Sequence, residues 1–527
     1  MIIRESGSLR IASASRVFLI AHSRETACGV INPIRSLHSI IRQLEGTVTY
    51  ETRPAFAAMA IFLSTVCSAF AGTPSGVIRV DITLGPAVTA PSVFYVDPIN
   101  GSLDGDGSRL KPWRTFAEVV GKKLINGEDS TKGVVHAGDM IYLLSGNHGS
   151  VTMNTYNGQF NNTSPITVQA MPKHAPVLNQ LTLRNVSNWT FRGLTFVPPT
   201  LAPGEVISNW FTLATFTDTN GVVFDKNTLY SQADVTAWSA QDWLDQSVCR
   251  AIYYTGNGCT ISNNVIRNVR NGIAVGGDSV AVTGNVVDYF TNDAIDFTSS
   301  NTIIRANVIT NHYGYLDNGA HSDAIQGWTV GGVTGHNILI DRNLVMSSTG
   351  QYTTIPPVAS GTGTDVLQGI SIFDGMWKDV VVTNNVVIVP AFHAISMYGV
   401  SSLNIQNNTA VTYSTSPGMV GWIGVFNKKD GTVPTRITVR NNIATSLSIS
   451  VAGVTKDHNI VLTPKKGITD LVADPLKVFV TYKPALGLFD LHLAAGSPAI
   501  GAGGAPMLRQ DKDGKTRVIN DCGAYAY

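Results

Sequence analysis

From Cys259 onward, short apolar runs alternate with polar turns at a nearly fixed interval. The runs read CTISNNVI, VAVTGNVV, TIIRANVI, ILIDRNLV, VVVTNNVV, LNIQNNTA and ITVRNNIA. Each holds an asparagine followed by Val, Ile, Leu or Thr: Asn264, Asn285, Asn307, Asn343, Asn385, Asn408 and Asn442. VVFDKNTL, with Asn227, looks like one further rung. Adjacent asparagines lie 21, 22 or 23 residues apart, or 34–42 where a loop intervenes. Strands this short cannot bury an apolar face except against neighbouring copies, so the period predicts a solenoid. The units lack the LxxLxL pattern and the helix-sized segment of a leucine-rich repeat. An inward asparagine at one corner is expected to stack rung on rung and satisfy turn backbone groups.

A second strand follows in each rung: GIAVG (272–276), AIDFT (294–298), AIQGW (324–328), GISIF (369–373), AISMY (394–398) and WIGVF (422–426). Side chains alternate along a strand, so Ile273, Ile295, Ile325, Ile370, Ile395 and Ile423 should point inward as one stack. The remaining positions then face outward. The first of these is small in all but the last rung and predicts an open floor. The third forms a short polar row: Ala274, Asp296, Gln326, Ser371, Ser396 and Gly424. The fifth carries Trp328, Phe373, Tyr398 and Phe426, an aromatic ladder suited to flat sugar faces. Just before the strands stand Asn271, Asp293, Asp323, Gln368 and His393. Segments 311–322 and 347–367 should protrude beside this column, where loops on a rigid scaffold tend to carry function. The first holds His312, Tyr313, Tyr315, Asp317 and His321 and leads into Asp323 and Gln326.

Composition sharpens the picture. Only 14% of the 527 residues are charged, 44% are hydrophobic and 50 are glycine, which excludes a disordered chain and a coiled coil. A net charge of +1 gives no bulk pull toward nucleic acid or anionic lipid. Ala55–Ala71 is apolar, follows Arg53 and ends Ala69-Phe70-Ala71, the pattern of a cleaved secretory signal. It predicts a leader over 1–71, a linker over 72–92, no membrane span in the mature chain, and a secreted or periplasmic protein. Cys249 and Cys259 are close enough in sequence to bridge in an oxidising compartment. Thr115 to Lys123 reads as a short amphipathic helix between two strands.

The stacked asparagines, the opening YVDP…G…PWRTFAEVV…GDMIYL and the closing SPAIGAG…DKDGKTR…DCGAY together resemble the pectate-lyase-like superfamily. The resemblance implies an all-β, right-handed parallel β-helix with a short N-terminal capping helix over 93–480, and a C-terminal closing segment over 481–527. It also implies a lyase, hydrolase or epimerase acting on an acidic polysaccharide, with β-elimination the leading expectation. An eliminating lyase must neutralise a uronate carboxylate, remove the C5 proton and protonate the leaving oxygen. His321 or His312 would serve as base and Tyr313 as proton donor, with Asp323 and Gln326 as positioning groups. Lys378 and Lys428–Lys429 would hold carboxylates. Calcium bound through Asp293, Asp296 and Asp323 is the metal-assisted version. A hydrolase would instead use paired aspartates such as Asp296 and Asp323. The polygalacturonase Gly-His-Gly is absent. A non-catalytic glycan-binding β-helix stays open, and nothing in the sequence chooses between monomer and trimer.

Overall fold

The computed structural model describes residues 17–19, 80–82, 91–125, 133–155, 160–200, 207–208, 210–239, 242–243, 249–314, 322–349, 366–413, 420–463 and 471–527. The chain divides into two units, Met1–Ala90 and Pro91–Tyr527. In the first, Val17–Leu19 pairs antiparallel with Val80–Ile82. The expected signal, Ala55–Ala71, lies outside the described residues. No described helix is long and apolar enough to cross a membrane.

The second unit is a coil of parallel strands with three strands per turn. After each ladder asparagine comes a first-face strand, such as Val286–Phe290. A second-face strand follows, such as Ile295–Phe297, and then a third-face strand, such as Thr302–Arg305. The first-face strands stack as one sheet from Gly146–Asn147 to Leu471–Val472. The register aligns Ile273, Ile295, Ile325, Ile370, Ile395 and Ile423, all buried. The expected interior stack is therefore present. Val275, Phe297, Gly327, Ile372, Met397 and Val425 form a second inward column.

The asparagine corner explains the repeat. The backbone N–H of Asn227, Asn264, Asn285, Asn307, Asn343, Asn385, Asn408 and Asn442 each donates to Oδ1 of the next ladder asparagine at 2.9–3.1 Å. From Asn264 onward Nδ2 does the same, and it also donates to a backbone carbonyl of the preceding rung, as Asn285 does to Ile261. The ladder ends at Asn459, one rung beyond the sequence-predicted set. An orphaned buried polar group costs about 1–3 kcal/mol, so apolar substitution here is expensive. The residue before each ladder asparagine is left-handed, with φ between 52° and 66° from Lys226 to His458. Asn and Gly tolerate that conformation, hence the four Asn-Asn pairs and Gly284-Asn285.

The expected helix is Phe116–Gly121, with Thr115 and Glu118 forming a capping box. Phe116 and Val119 bury into the main core. Past the last parallel strand, Phe479–Lys483 and Leu488–Leu493 form an antiparallel pair. The segment that follows runs back along the coil. Buried Arg517 donates to Asn384 Oδ1 and to the Gly523 and Ala524 carbonyls. Asn407 Nδ2 donates to the Asp521 carbonyl. This segment covers the outer side of the first face, burying Val386, Ile388, Val411, Ile443 and Ile460 in a second core.

Cys249 and Cys259, which their spacing would allow to bridge, are free and buried. Burial pushes the Cys249 thiol up to about 11.

Candidate active site

The second-face corner carries the candidate chemistry. Register places Arg250 beside Asn271, Asp323 beside Gln368, and His393 beside Trp422. The Asp293 carbonyl accepts from Gly272 N–H, and Asp293 Oδ1 accepts from Asp323 N–H at 3.0 Å. Arg250, Asn271, Asp293, Asp323, Gln368, His393 and Trp422 thus form one column over seven successive rungs. At about 4.8 Å per rung the column is about 29 Å long. Sequence reasoning found its middle five members. It missed Arg250 because the strands were aligned only from GIAVG (272–276) onward, although Ala251-Ile252 repeats the same small-Ile opening and Ile252 lies in register with Ile273. It missed Trp422 as a member because the register shifts between His393 and Ile395.

Asp296 stands one strand step inward of this corner, in register with Ala274 and Gln326. It is 7% exposed, and its Oδ1 has no hydrogen-bond partner. Burial holds its carboxyl well above the usual carboxylate range, and the negative charges of Asp293 and Asp323 raise it further against the opposing pull of Arg250. Asp296 therefore holds its proton more strongly than an ordinary carboxyl, beside Asp293 and the fully buried Asp323. Arg250 is itself lowered, first by burial and then by Arg270, and its guanidinium lies 4.5 Å from the Trp210 ring centre. Buried oxygens without partners recur along this face: Asn271 Oδ1, Asp296 Oδ1, Gln368 Oε1 and Ser371 Oγ.

The remaining candidates fall in several places. His321, like Tyr315 and Asp317, lies outside the described residues. His312 ends the strand Val308–His312, its ring 5.2 Å from Phe290. Tyr313 is buried, stacked 5.0 Å from Trp243 in a cluster with Tyr289, and burial pushes its hydroxyl up. Lys378 is exposed on Met376–Thr383, in register with His336 and Ser401, and is not brought to the carboxylates. Lys428 pairs with Asp430, and Lys429 with Asp374 at 2.8 Å. Lys428 and Lys429, two of the three lysines expected to hold substrate carboxylates, already have partners. Among the described residues no group of three or more His, Cys, Asp or Glu could hold a metal ion. No step below is routed through the calcium expected at Asp293, Asp296 and Asp323.

Half-buried rings form the far half of the face. Phe373 lies 5.5 Å from Tyr398, and Tyr398 stacks on Phe426 at 4.5 Å. Trp328 does not continue the line: a register shift sets it opposite Asp374 instead of Phe373. Trp422 stacks on Phe392 and donates through Nε1 to Ser396 Oγ, which also lies 2.9 Å from His393 Nδ1. The small first-position column is not an open floor. Ala294, Ala324 and Ala394 are fully buried, and a Cβ on Gly369 would come within 2.0 Å of the Ala394 carbonyl. Close rung packing dictates those small residues.

Three-stranded turns, an asparagine corner and a polar column on one outward face define the class. The chain is a right-handed parallel β-helix, and residues 250–410 match the family model described as a right handed beta helix region. No curated protein matches the chain. Among solved structures, a pectate lyase is 14% identical with a TM-score of 0.41, over 84% of this chain and 97% of that one. The A-module of a mannuronan C-5 epimerase from Azotobacter vinelandii is 12% identical with a TM-score of 0.40, over 62% and 92%. A lacto-N-biosidase from Eubacterium ramulus is 13% identical with a TM-score of 0.42, over 73% and 65%. Likeness at this level assigns no chemistry.

Proposed function

We propose that the protein is a carbohydrate-active enzyme that breaks a glycosidic bond by carboxyl acid–base catalysis. The observation that carries this reading is the buried Asp296 beside Asp293 and Asp323, its carboxyl raised by burial and by its two neighbours. Asp296 gives its proton to the leaving glycosidic oxygen, and Asp323 takes a proton from the attacking water. Asp293 fixes Asp323 through the hydrogen bond to its backbone N–H. A carboxyl that keeps its proton next to a second carboxyl is the pairing that acid–base glycoside cleavage uses. The Ala55–Ala71 segment suits an enzyme working outside the cytoplasm on a polymer.

A second reading, β-elimination on a uronic-acid polymer, is favoured by Arg250, whose charge lies near Asp293 and Asp296 and would neutralise a uronate. One assay separates the two. Glycan panels, with and without EDTA, are followed for reducing ends and for the ultraviolet absorbance of an unsaturated uronate. Reducing ends without that absorbance, falling about 10²- to 10⁴-fold in Asp296→Asn and in Asp323→Asn, support hydrolysis. Unsaturated product supports elimination. Full activity in Asp296→Asn sinks the acid–base assignment.

A further inference from the structure

The corner column begins with a cation that the coil leaves uncompensated. Arginines elsewhere on the strands meet carboxylates: Arg192 pairs with Asp225, Arg305 with Asp341 and Arg440 with Asp457. Among the described residues no carboxylate pairs with Arg250, and its guanidinium instead lies over the Trp210 ring. Its Nε is sealed without an acceptor, but its two terminal nitrogens are not sealed, and Trp210 is 72% exposed. Arg270 adds like charge nearby: burial and then Arg270 lower the Arg250 guanidinium, and the opposing pull of Asp296 and Asp293 does not make up the difference. A half-buried guanidinium beside a second cation is stabilised by an anion, and its fork of terminal nitrogens suits the paired oxygens of a carboxylate or a sulfate. The exposed indole against it offers a flat apolar face to a sugar ring. Position limits where the charge of such a ligand can lie. Register sets Arg250 beside Asn271 and so two rungs, about 10 Å, before Asp293. At the acid group itself Asp293 and Asp323 already disfavour ionisation of Asp296, so a further anion there adds cost.

We propose that Arg250 and Trp210 form a subsite for one acidic sugar, a uronate or a sulfate ester, two rungs before the acid group, while the sugar at Asp293, Asp296 and Asp323 is uncharged. The ligand is then a glycan with acidic sugars spaced among neutral ones, not a polymer charged at every unit. This subsite rests on the carbohydrate reading above and fits its hydrolytic form, since elimination needs the carboxylate on the reacting sugar.

Affinity electrophoresis of the full chain tests the subsite without any need for turnover. The gels hold glucuronoxylan, the same polymer after reduction of its carboxyl groups, polygalacturonate, or a sulfated galactan. Glucuronoxylan should retard the parent, less so as sodium chloride is added, and carboxyl reduction should abolish the effect. Polygalacturonate, charged at every unit, should retard it less. Arg250→Gln should lose about 10-fold in affinity and Arg250→Lys less, with melting temperatures close to the parent's because Arg250 gives up no protein acceptor. Trp210→Ala should weaken binding as well. Retardation by the sulfated galactan in place of glucuronoxylan, lost in Arg250→Gln, supports the same subsite with sulfate as its anion. Equal retardation of parent and Arg250→Gln, retardation that survives carboxyl reduction, or none in any acidic gel overturns it. So does stronger retardation by polygalacturonate, or an unsaturated product, since each puts the charge on the sugar at the acid group. Arg250-dependent binding without cleavage leaves the subsite standing and removes the catalytic reading instead. Hydrolysis with the same KM in parent and Arg250→Gln does the reverse.

Discussion

Replacing Asp296 by asparagine should make the protein more stable and less active. An unfolded aspartate titrates near 3.8, whereas burial and the charges of Asp293 and Asp323 keep the folded one protonated to higher pH. Above 3.8 the folded chain therefore binds more protons than the unfolded chain, and stability falls as pH rises until the folded value is passed. The slope is about 1.4 kcal/mol per pH unit. Asparagine matches the carboxyl in shape and has no such term, and Oδ1 gives up no hydrogen bond because it makes none. The two proteins should thus match in stability below 3.8, and the variant should gain steadily above it. Denaturant midpoints across a pH series measure the difference, and hydrolytic turnover on the same preparations should drop about 10²- to 10⁴-fold. A stability difference that stays flat with pH, or a variant less stable throughout, would mean that Asp296 is an ionised structural group. Stability gained where activity is lost is expected of a residue held in an unfavourable state for chemistry.

Three other perturbations probe the coil. Asn307→Ala strips the partner from Asn285 N–H and from the Val282 carbonyl, two buried groups worth together about 4 kcal/mol; a loss below about 1 kcal/mol in denaturant titration contradicts the ladder. Ala306 is left-handed at φ 54°, where a Cβ costs about 1 kcal/mol, so Ala306→Gly should raise the melting temperature, and a lower one refutes the strain. Burial alone would lower the His492 imidazole, but its bonds to Asp513 and Asp490 outweigh that and raise it. Its stabilisation is therefore fully present below about 6.5 and lost as pH rises through the raised value. Tm measured against pH for parent and His492→Gln should converge on the alkaline side, and a constant gap would assign His492 a role that does not depend on its charge.

What was legible in the sequence was whatever the repeat enforces. The asparagine ladder, the isoleucine stack and the corner column from Asn271 to His393 could be read because each rung must place equivalent residues at equivalent points. Local departures were not legible. Phe373 left the line of Trp328 through one bulge, which shifts register without any mark in composition. Gly272 and Gly369 suggested open space when their meaning was close packing of one rung on the next. Two of the three lysines expected to bind substrate were partnered, Lys428 by Asp430 two residues away and Lys429 by Asp374 55 residues away. The first pairing was visible in principle; the second needs the coil to bring two rungs together. The state of Asp296 depends on burial, which the sequence does not display.

The two corners of the coil show how one scaffold separates stability from function. At the asparagine corner every rung carries the same side chain, each donating to the next and accepting from the last, so no polar group is left over. At the second-face corner the strands also stack rung on rung, with a register shift between His393 and Ile395, yet the side chains run Arg250, Asn271, Asp293, Asp323, Gln368, His393 and Trp422. Unlike neighbours cannot satisfy one another in a ladder, so acceptors are left over and charges crowd together. The surplus costs folding energy, and the uniform ladder on the other edge stabilises the coil enough to tolerate it. In a solenoid of this kind the repeat locates the fold, and the column where the repeat changes residue from rung to rung locates the chemistry.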